Sequence, residues 1–326
     1  MRYGKATTMS VVLSAISSGR IRWSDLVSAN QTVVDTGGSQ IWLELGETMT
    51  VRDLFYAVAV QSANDAAVAL AEFVGGTEPA FVQMMNERAQ ALGMTNTLYT
   101  DPTGLDDQNQ YTTAYDVALL SRYMVVQQPQ VLTYTATWEY RLRGNKLWLV
   151  NRNKLLKQLP GTDGLKTGYT QLAGYCLSAT AQRGTTRLIA VVLGDPTSQD
   201  RFDEASAMLQ WGFTHYATVA VAQSNTVIQK LPVEGGTVRT IAVGTKESFG
   251  VTVARGSESS VHSSVQIPSY LTAPVTKGQT VGHIQITTGK GDVASIPIVA
   301  LANVPPLGPF GLWGRIWKGM WPWGSS

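Results

Sequence analysis

Two short runs carry the residue types needed for acyl transfer, Ser62-Ala63-Asn64 and Lys166-Thr167-Gly168. A serine hydroxyl and a lysine amine suffice for nucleophilic catalysis when burial beside other cations lowers the lysine pKa until it can accept a proton. Position closes the histidine route. His215, His262 and His283 all follow residue 213, so no Ser-His-Asp or Cys-His arrangement is expected among the earlier residues. None of them pairs with another His or Cys at metal-ligand spacing. There is also no His-Glu-x-x-His and no glycine-rich phosphate loop, so neither a metal nor another cofactor is expected. Either run alone is a weak signal, since Lys-Thr-Gly also occurs as an ordinary turn. In this order, one in a break between helical stretches and one heading a strand-rich part, they carry more.

These runs need elements to hold them. Thr50 with Asp53 predicts a helix start before the apolar run Leu54 to Val60. Ser62 to Asn64 interrupts that run, and Ala66 to Val74 resumes it as far as Gly75-Gly76. Thr77 with Pro79 opens a helix that buries Phe81, Met84, Met85 and Ala89 and stops at Gly93. Thr112-Thr113 open a third, which ends at Pro129. From about Trp138 the period shortens. Tyr175, Leu177 and Ala179 alternate with smaller or polar residues, Arg183-Gly184 turns, and Arg187 to Leu193 reads as a buried strand. Asp200 to Phe213 predicts a closing helix with Ala205, Leu209 and Trp211 as its apolar stripe. Helices, then sheet, then helix predict an α+β fold.

The 326 residues, 44% hydrophobic and 15% charged, are enough for two domains with real cores. A net charge of +2 without any Lys/Arg cluster excludes nucleic acid as an expected partner. The single Cys176 excludes an internal disulfide. Val, Thr, Ile, Ser and Gly dominate residues 217 to 301, with strands such as Thr226 to Lys230 and Val281 to Thr287, which describes a small all-β domain. The expected domains are 1–213, 214–304 and a terminal segment 305–326. In that segment Trp313, Ile316, Trp317 and Met320 share one helical face beside Arg315 and Lys318, as suits an amphipathic helix lying on a membrane surface. A tail packed on the β domain is the alternative.

The serine-lysine-glycine pattern is the signature of penicillin-binding proteins and class A β-lactamases. Gln61-Ser62-Ala63-Asn64-Asp65-Ala66, Asn151-Arg152-Asn153, Asp163-Gly164-Leu165-Lys166-Thr167-Gly168-Tyr169 and Ala173-Gly174-Tyr175 resemble the low-molecular-mass penicillin-binding proteins, specifically the D-alanyl-D-alanine carboxypeptidases. The resemblance covers nearly the whole chain, because that family also has a C-terminal β domain and an amphipathic anchor. It implies a penicillin-binding/β-lactamase-like domain that removes the terminal D-Ala from peptidoglycan stem peptides through an acyl-enzyme and is trapped by β-lactams. It also implies a peripheral place on the outer face of the cytoplasmic membrane.

The resemblance also implies roles. The motif serine attacks, and the residue matching Lys5 takes its proton. Ser62 relays a proton to the leaving nitrogen, Asn64 holds the substrate amide, and Lys166 supplies positive potential. Thr167 binds the terminal carboxylate with Arg201 behind it, and the Tyr169 N–H after Gly168 is one oxyanion-hole donor. Blander readings stand beside these: a helix cap for Ser62, a solvated lysine for Lys5, a surface ion pair for Arg201. One departure is large. Extending without gaps from the helix that ends near Ser18-Gly19 puts the motif lysine at Lys5 and its serine at Arg2, which cannot be an acyl nucleophile. Met1-Arg2-Tyr3-Gly4-Lys5 also lacks the features of an export signal. An N-terminally incomplete sequence is therefore expected, with a non-catalytic wall-binding relative as the alternative.

Overall fold

The computed structural model describes residues 4–224, 226–289 and 291–308. The expected anchor helix within 305–326 falls largely on residues 309–326, and these, like Arg2, lie outside the described residues. The chain divides into two compact units, with the division between Phe213 and Thr214.

In the first unit, helix α1 (Gly4–Ser17) is buried along most of its length. Two of its hydroxyls avoid the penalty of burial by bonding outward, Thr8 Oγ1 to the Pro102 carbonyl at 2.7 Å and Ser10 Oγ to Gln128 Oε1 at 2.9 Å. Strand β1 (Leu26–Ser28), the short helix α2 (Gln31–Val34) and strand β2 (Thr48–Thr50) follow, with β1 and β2 antiparallel. Thr50 caps α3 (Val51–Tyr56) as its sequence predicts, accepting from the Asp53 N–H at 3.0 Å. A π-helical turn, Ala57–Gln61, leads to α4 (Asn64–Gly75), whose run of Ala and Val is buried. Thr77 and Thr113 cap α5 (Glu78–Ala91) and α6 (Ala114–Gln127) in the same way.

Then come α7 (Val131–Thr135), the hairpin of β3 (Glu139–Leu142) and β4 (Leu147–Val150), and α8 (Leu155–Gln158). Strands β5 (Thr162–Thr170), β6 (Gly174–Arg183) and β7 (Thr186–Asp195) form an antiparallel sheet in that order, and α9 (Asp200–His215) follows. The apolar run in β7 has a simple cause. Ala190 and Val192 join Phe202, Ala205 and Leu209 of α9 in one core, while Ile189, Val191 and Leu193 pack on the core that contains α6. A strand covered on both faces has no polar side to alternate with. One expectation fails: Trp211 is 56% exposed, and the buried stripe of α9 is Phe202, Ala205, Leu209 and Phe213. Trp211 stands two residues from Leu209, roughly 200° around the helix.

The second unit holds β8 (Tyr216–Ala222), β9 (Val227–Glu234), β10 (Thr240–Thr245), β11 (Phe249–Ala254), β12 (His262–Gln266), β13 (Leu271–Thr272), β14 (Thr280–Thr288) and β15 (Gly291–Ala300). Six of these strands form one sheet in the order β12-β14-β15-β10-β9-β13, and β11 pairs with β8. Leu231, Val243, Ile284, Ile286 and Ile298 are the centre of its core.

Candidate active site

One wall of the site is β5. Its antiparallel ladder with β6 pairs Lys166 with Ser178, Thr167 with Leu177, Gly168 with Cys176 and Tyr169 with Tyr175. The rings of Tyr169 and Tyr175 stack with centroids 4.2 Å apart. Arg201, in the first turn of α9, is 7% exposed and sits behind this wall. Its Nη1 donates to the Gly168 carbonyl at 2.8 Å and to the Cys176 carbonyl at 3.3 Å, and its Nη2 to Ser198 Oγ at 3.2 Å. The guanidinium also lies 5.2 Å from the centre of the Tyr175 ring. Its burial replaces the surface position that the blander reading gave it. Gly174 makes the preceding turn possible: its φ is +64°, and an added Cβ would stand 2.9 Å from the Asp195 carbonyl oxygen.

The opposite wall is built from irregular backbone. Ser62 terminates the π turn in the left-handed region, at φ 63° and ψ 35°, and the Ala63 N–H closes back on the Ala57 carbonyl at 3.1 Å. The Asn64 N–H donates to the Ser39 carbonyl at 2.6 Å, bringing the 37–47 segment alongside. Asp65 fixes that segment. One or both of its oxygens accept from the N–H groups of Ile41 (3.0 Å), Leu43 (3.2 Å) and Ala66 (2.8 Å). Burial pushes the Asp65 carboxyl up, against the opposing effect of these donors.

A cleft of about 400 Å³ lies between the walls, and Ser62, Thr167, Gly168, Tyr169 and Arg201 all line it. Lys5, Asn64 and Lys166 are buried but are not among its lining residues. Lys5 Nζ donates to the Thr103 carbonyl at 2.7 Å, so it is no solvated lysine. Lys166 Nζ donates to the Thr167 carbonyl at 3.0 Å. Asn64 Nδ2 donates to the Gly37 carbonyl at 2.6 Å, while its Oδ1 is buried with no hydrogen-bond partner among the described residues. Among those residues, no group of three or more His, Cys, Asp and Glu is arranged to hold a metal.

Residues 3–197 match the family described as D-alanyl-D-alanine carboxypeptidase, and residues 216–306 match the penicillin-binding protein 5 C-terminal domain. The chain belongs to the D-alanyl-D-alanine carboxypeptidase family. It is 37% identical over 308 residues to the D-alanyl-D-alanine carboxypeptidase DacF of Bacillus subtilis, covering 93% of this chain and 79% of that one. The crystal structure of penicillin-binding protein 5 from Haemophilus influenzae is similar with a TM-score of 0.72 and 33% identity, covering 93% of this chain and 89% of that chain. Penicillin-binding protein D2 from Listeria monocytogenes, in its cefotaxime-bound form, matches at a TM-score of 0.60 and 32% identity over 65% of this chain and 87% of its own.

Within this carboxypeptidase-family cleft, four lining residues had no assigned role from sequence: Ser39, Arg152, Tyr175 and Ser198. Arg152 and Tyr175 stand inside family-like runs, which was a usable signal. Ser198, three residues before Arg201, has the spacing of a helix-start partner. Ser39 had none, because long-range hydrogen bonds such as those of Asn64 and Asp65 bring it to the site. Asn151 and Asn153 brace the neighbourhood, donating to the carbonyls of Thr135, Thr137 and Gly164. Asp116 accepts from the Asn96 N–H and from Thr97 Oγ1, a structural role. Cys176 is buried in the sheet, and burial pushes its thiol up.

Proposed function

We propose that the cleft receives the D-alanyl-D-alanine end of a peptidoglycan stem peptide, and β-lactams that imitate it. The observation that carries this is the convergence of Ser62, Thr167 and Arg201 on one cleft in a chain of this family. Thr167 Oγ1 takes the terminal carboxylate, and buried Arg201 and Lys166 make that end of the cleft electropositive. The Tyr169 N–H is one of two oxyanion donors, and a single such donor is worth about 3 kcal/mol in the transition state. Ser62 moves the proton to the leaving amine. Lys5 is the base for a nucleophile three residues before it, and Asn64, held on the Gly37 carbonyl and buried outside the cleft lining, braces the Ser62 wall rather than holding the substrate amide.

In this polypeptide the nucleophile's place is Arg2, whose guanidinium stays protonated and has no lone pair to attack a carbonyl. This polypeptide is therefore expected to bind D-alanyl peptides without hydrolysing them, and the same frame hydrolyses them once a serine occupies that place; a non-catalytic peptidoglycan-binding or scaffolding relative is the second reading. Incubation with a labelled penicillin is expected to leave no covalent adduct, and a stable adduct would overturn the assignment of Arg2 to this place. Extending the chain upstream with a serine at that place should confer labelling.

The segment 309–326 anchors the protein to the outer face of a membrane through Trp313, Trp317 and their neighbours. No described helix is long and apolar enough to cross one. Deleting the segment should abolish binding to vesicles, and unchanged binding would refute the anchor.

A further inference from the structure

Trp42 has a backbone that its side chain disfavours. Its φ is +54°, a region that bulky residues rarely enter. The same segment meets its other left-handed positions with Gly38 (φ 83°) and Gly46 (φ 77°), where glycine adopts them freely. At residue 42 an indole is kept instead, and it is 65% exposed. Such a conformation persists where its surroundings over-determine it.

The surroundings do so from both sides. Asp65 accepts from the N–H groups of Ile41 and Leu43. Arg143 donates to the carbonyls of Ile41 and Trp42, each at 2.9 Å, and grips Glu47 with two further bonds of 2.7 and 2.9 Å. Arg143 itself has φ +51°. Two strained residues on different segments thus hold each other, and the indole projects from a rigid mount. Ser39, three residues earlier, lines the cleft. Three residues span at most about 11 Å, so the backbone that carries the ring is no farther than that from a residue lining the cleft.

We infer that Trp42 is a binding platform for the sugar part of the cleft's ligand, stacking its flat face on the C–H face of a pyranose ring. This rests on the D-alanyl-peptide reading of the cleft. An exposed indole on a fixed backbone is suited to a flat partner with an apolar face and a polar rim, because only two side-chain torsions are ordered on contact. The exposed Glu44, two residues on, supplies an acceptor for such a rim. The ring's role is recognition, so it should affect affinity and not the chemistry of the peptide end.

The test compares two probes by calorimetry on the full chain: a free pentapeptide ending in D-Ala-D-Ala, and the same peptide carried on its N-acetylated disaccharide. Trp42→Gly removes the ring and suits the backbone, and Trp42→Tyr keeps an aromatic face. The wild type should bind the disaccharide-linked peptide about fivefold more tightly, the order one seated ring contributes. Trp42→Gly should erase that ratio while leaving the free peptide's affinity unchanged, and Trp42→Tyr should keep most of it. A ratio that persists in Trp42→Gly overturns the platform alone. Equal weakening of both probes assigns Trp42 to the peptide and also overturns it. If neither probe binds the wild type, the reading of the cleft fails and the platform with it.

Discussion

The two walls of the cleft are made in different ways. On the β5 side, Thr167, Gly168 and Tyr169 sit in an unbroken stretch of ladder, where each position follows from the one before. On the other side, Ser62 and Ser39 are delivered by a π turn, a left-handed serine and a segment with a left-handed tryptophan. Regular pairing holds the first wall. Side-chain hydrogen bonds from Asp65 and Arg143 hold the second. A ladder shares its stability over many backbone bonds, so single side chains there are free to serve ligand. A loop pinned by two side chains concentrates its stability in them.

That contrast can be broken most forcefully at Asp65. Asp65→Ala strands the N–H groups of Ile41, Leu43 and Ala66 away from their acceptor, and a loss of about 3 kcal/mol is expected in urea unfolding. A variant within about 0.5 kcal/mol of wild type would show that the loop is held by something else. Thr167→Val probes the other wall. D-alanyl-peptide affinity should fall about tenfold, since a ligand carboxylate loses a donor, with the melting temperature nearly unchanged. A large loss of stability instead would mean that the ladder does not carry this wall.

The smallest effect is at Glu47, whose carboxyl Arg143 holds below its ordinary value of 4.5. A depressed carboxyl stabilises the fold above its ordinary pKa, and the contribution disappears as pH falls through the folded-state value. Glu47→Gln should therefore lose up to about 1 kcal/mol at neutral pH, with the gap from wild type closing in acid. A gap independent of pH would show that packing, not charge, makes the clamp.

Much of the fold was readable because its causes are local. Thr50, Thr77 and Thr113 cap helices with their own hydroxyls, and each cap lies within three residues of the N–H it serves. The apolar run of β7 follows from cover on both faces, which a single sequence registers as missing polarity. The exposure of Trp211 was misread because its apolar side chain, not its angular position, placed it in the stripe.

The family and the residue types of both walls are legible from the chain alone, because Ser62-Ala63-Asn64 and Lys166-Thr167-Gly168 are contiguous runs whose meaning lies in their spacing. Folding in three dimensions is what puts Ser39, Ser198 and Tyr175 in one cleft with those motifs and gives the Asn64 amide to Gly37. It alone revealed the left-handed Trp42. Arg143 is 101 residues from Trp42 in the chain, and no local pattern records a bond whose partners meet only after folding.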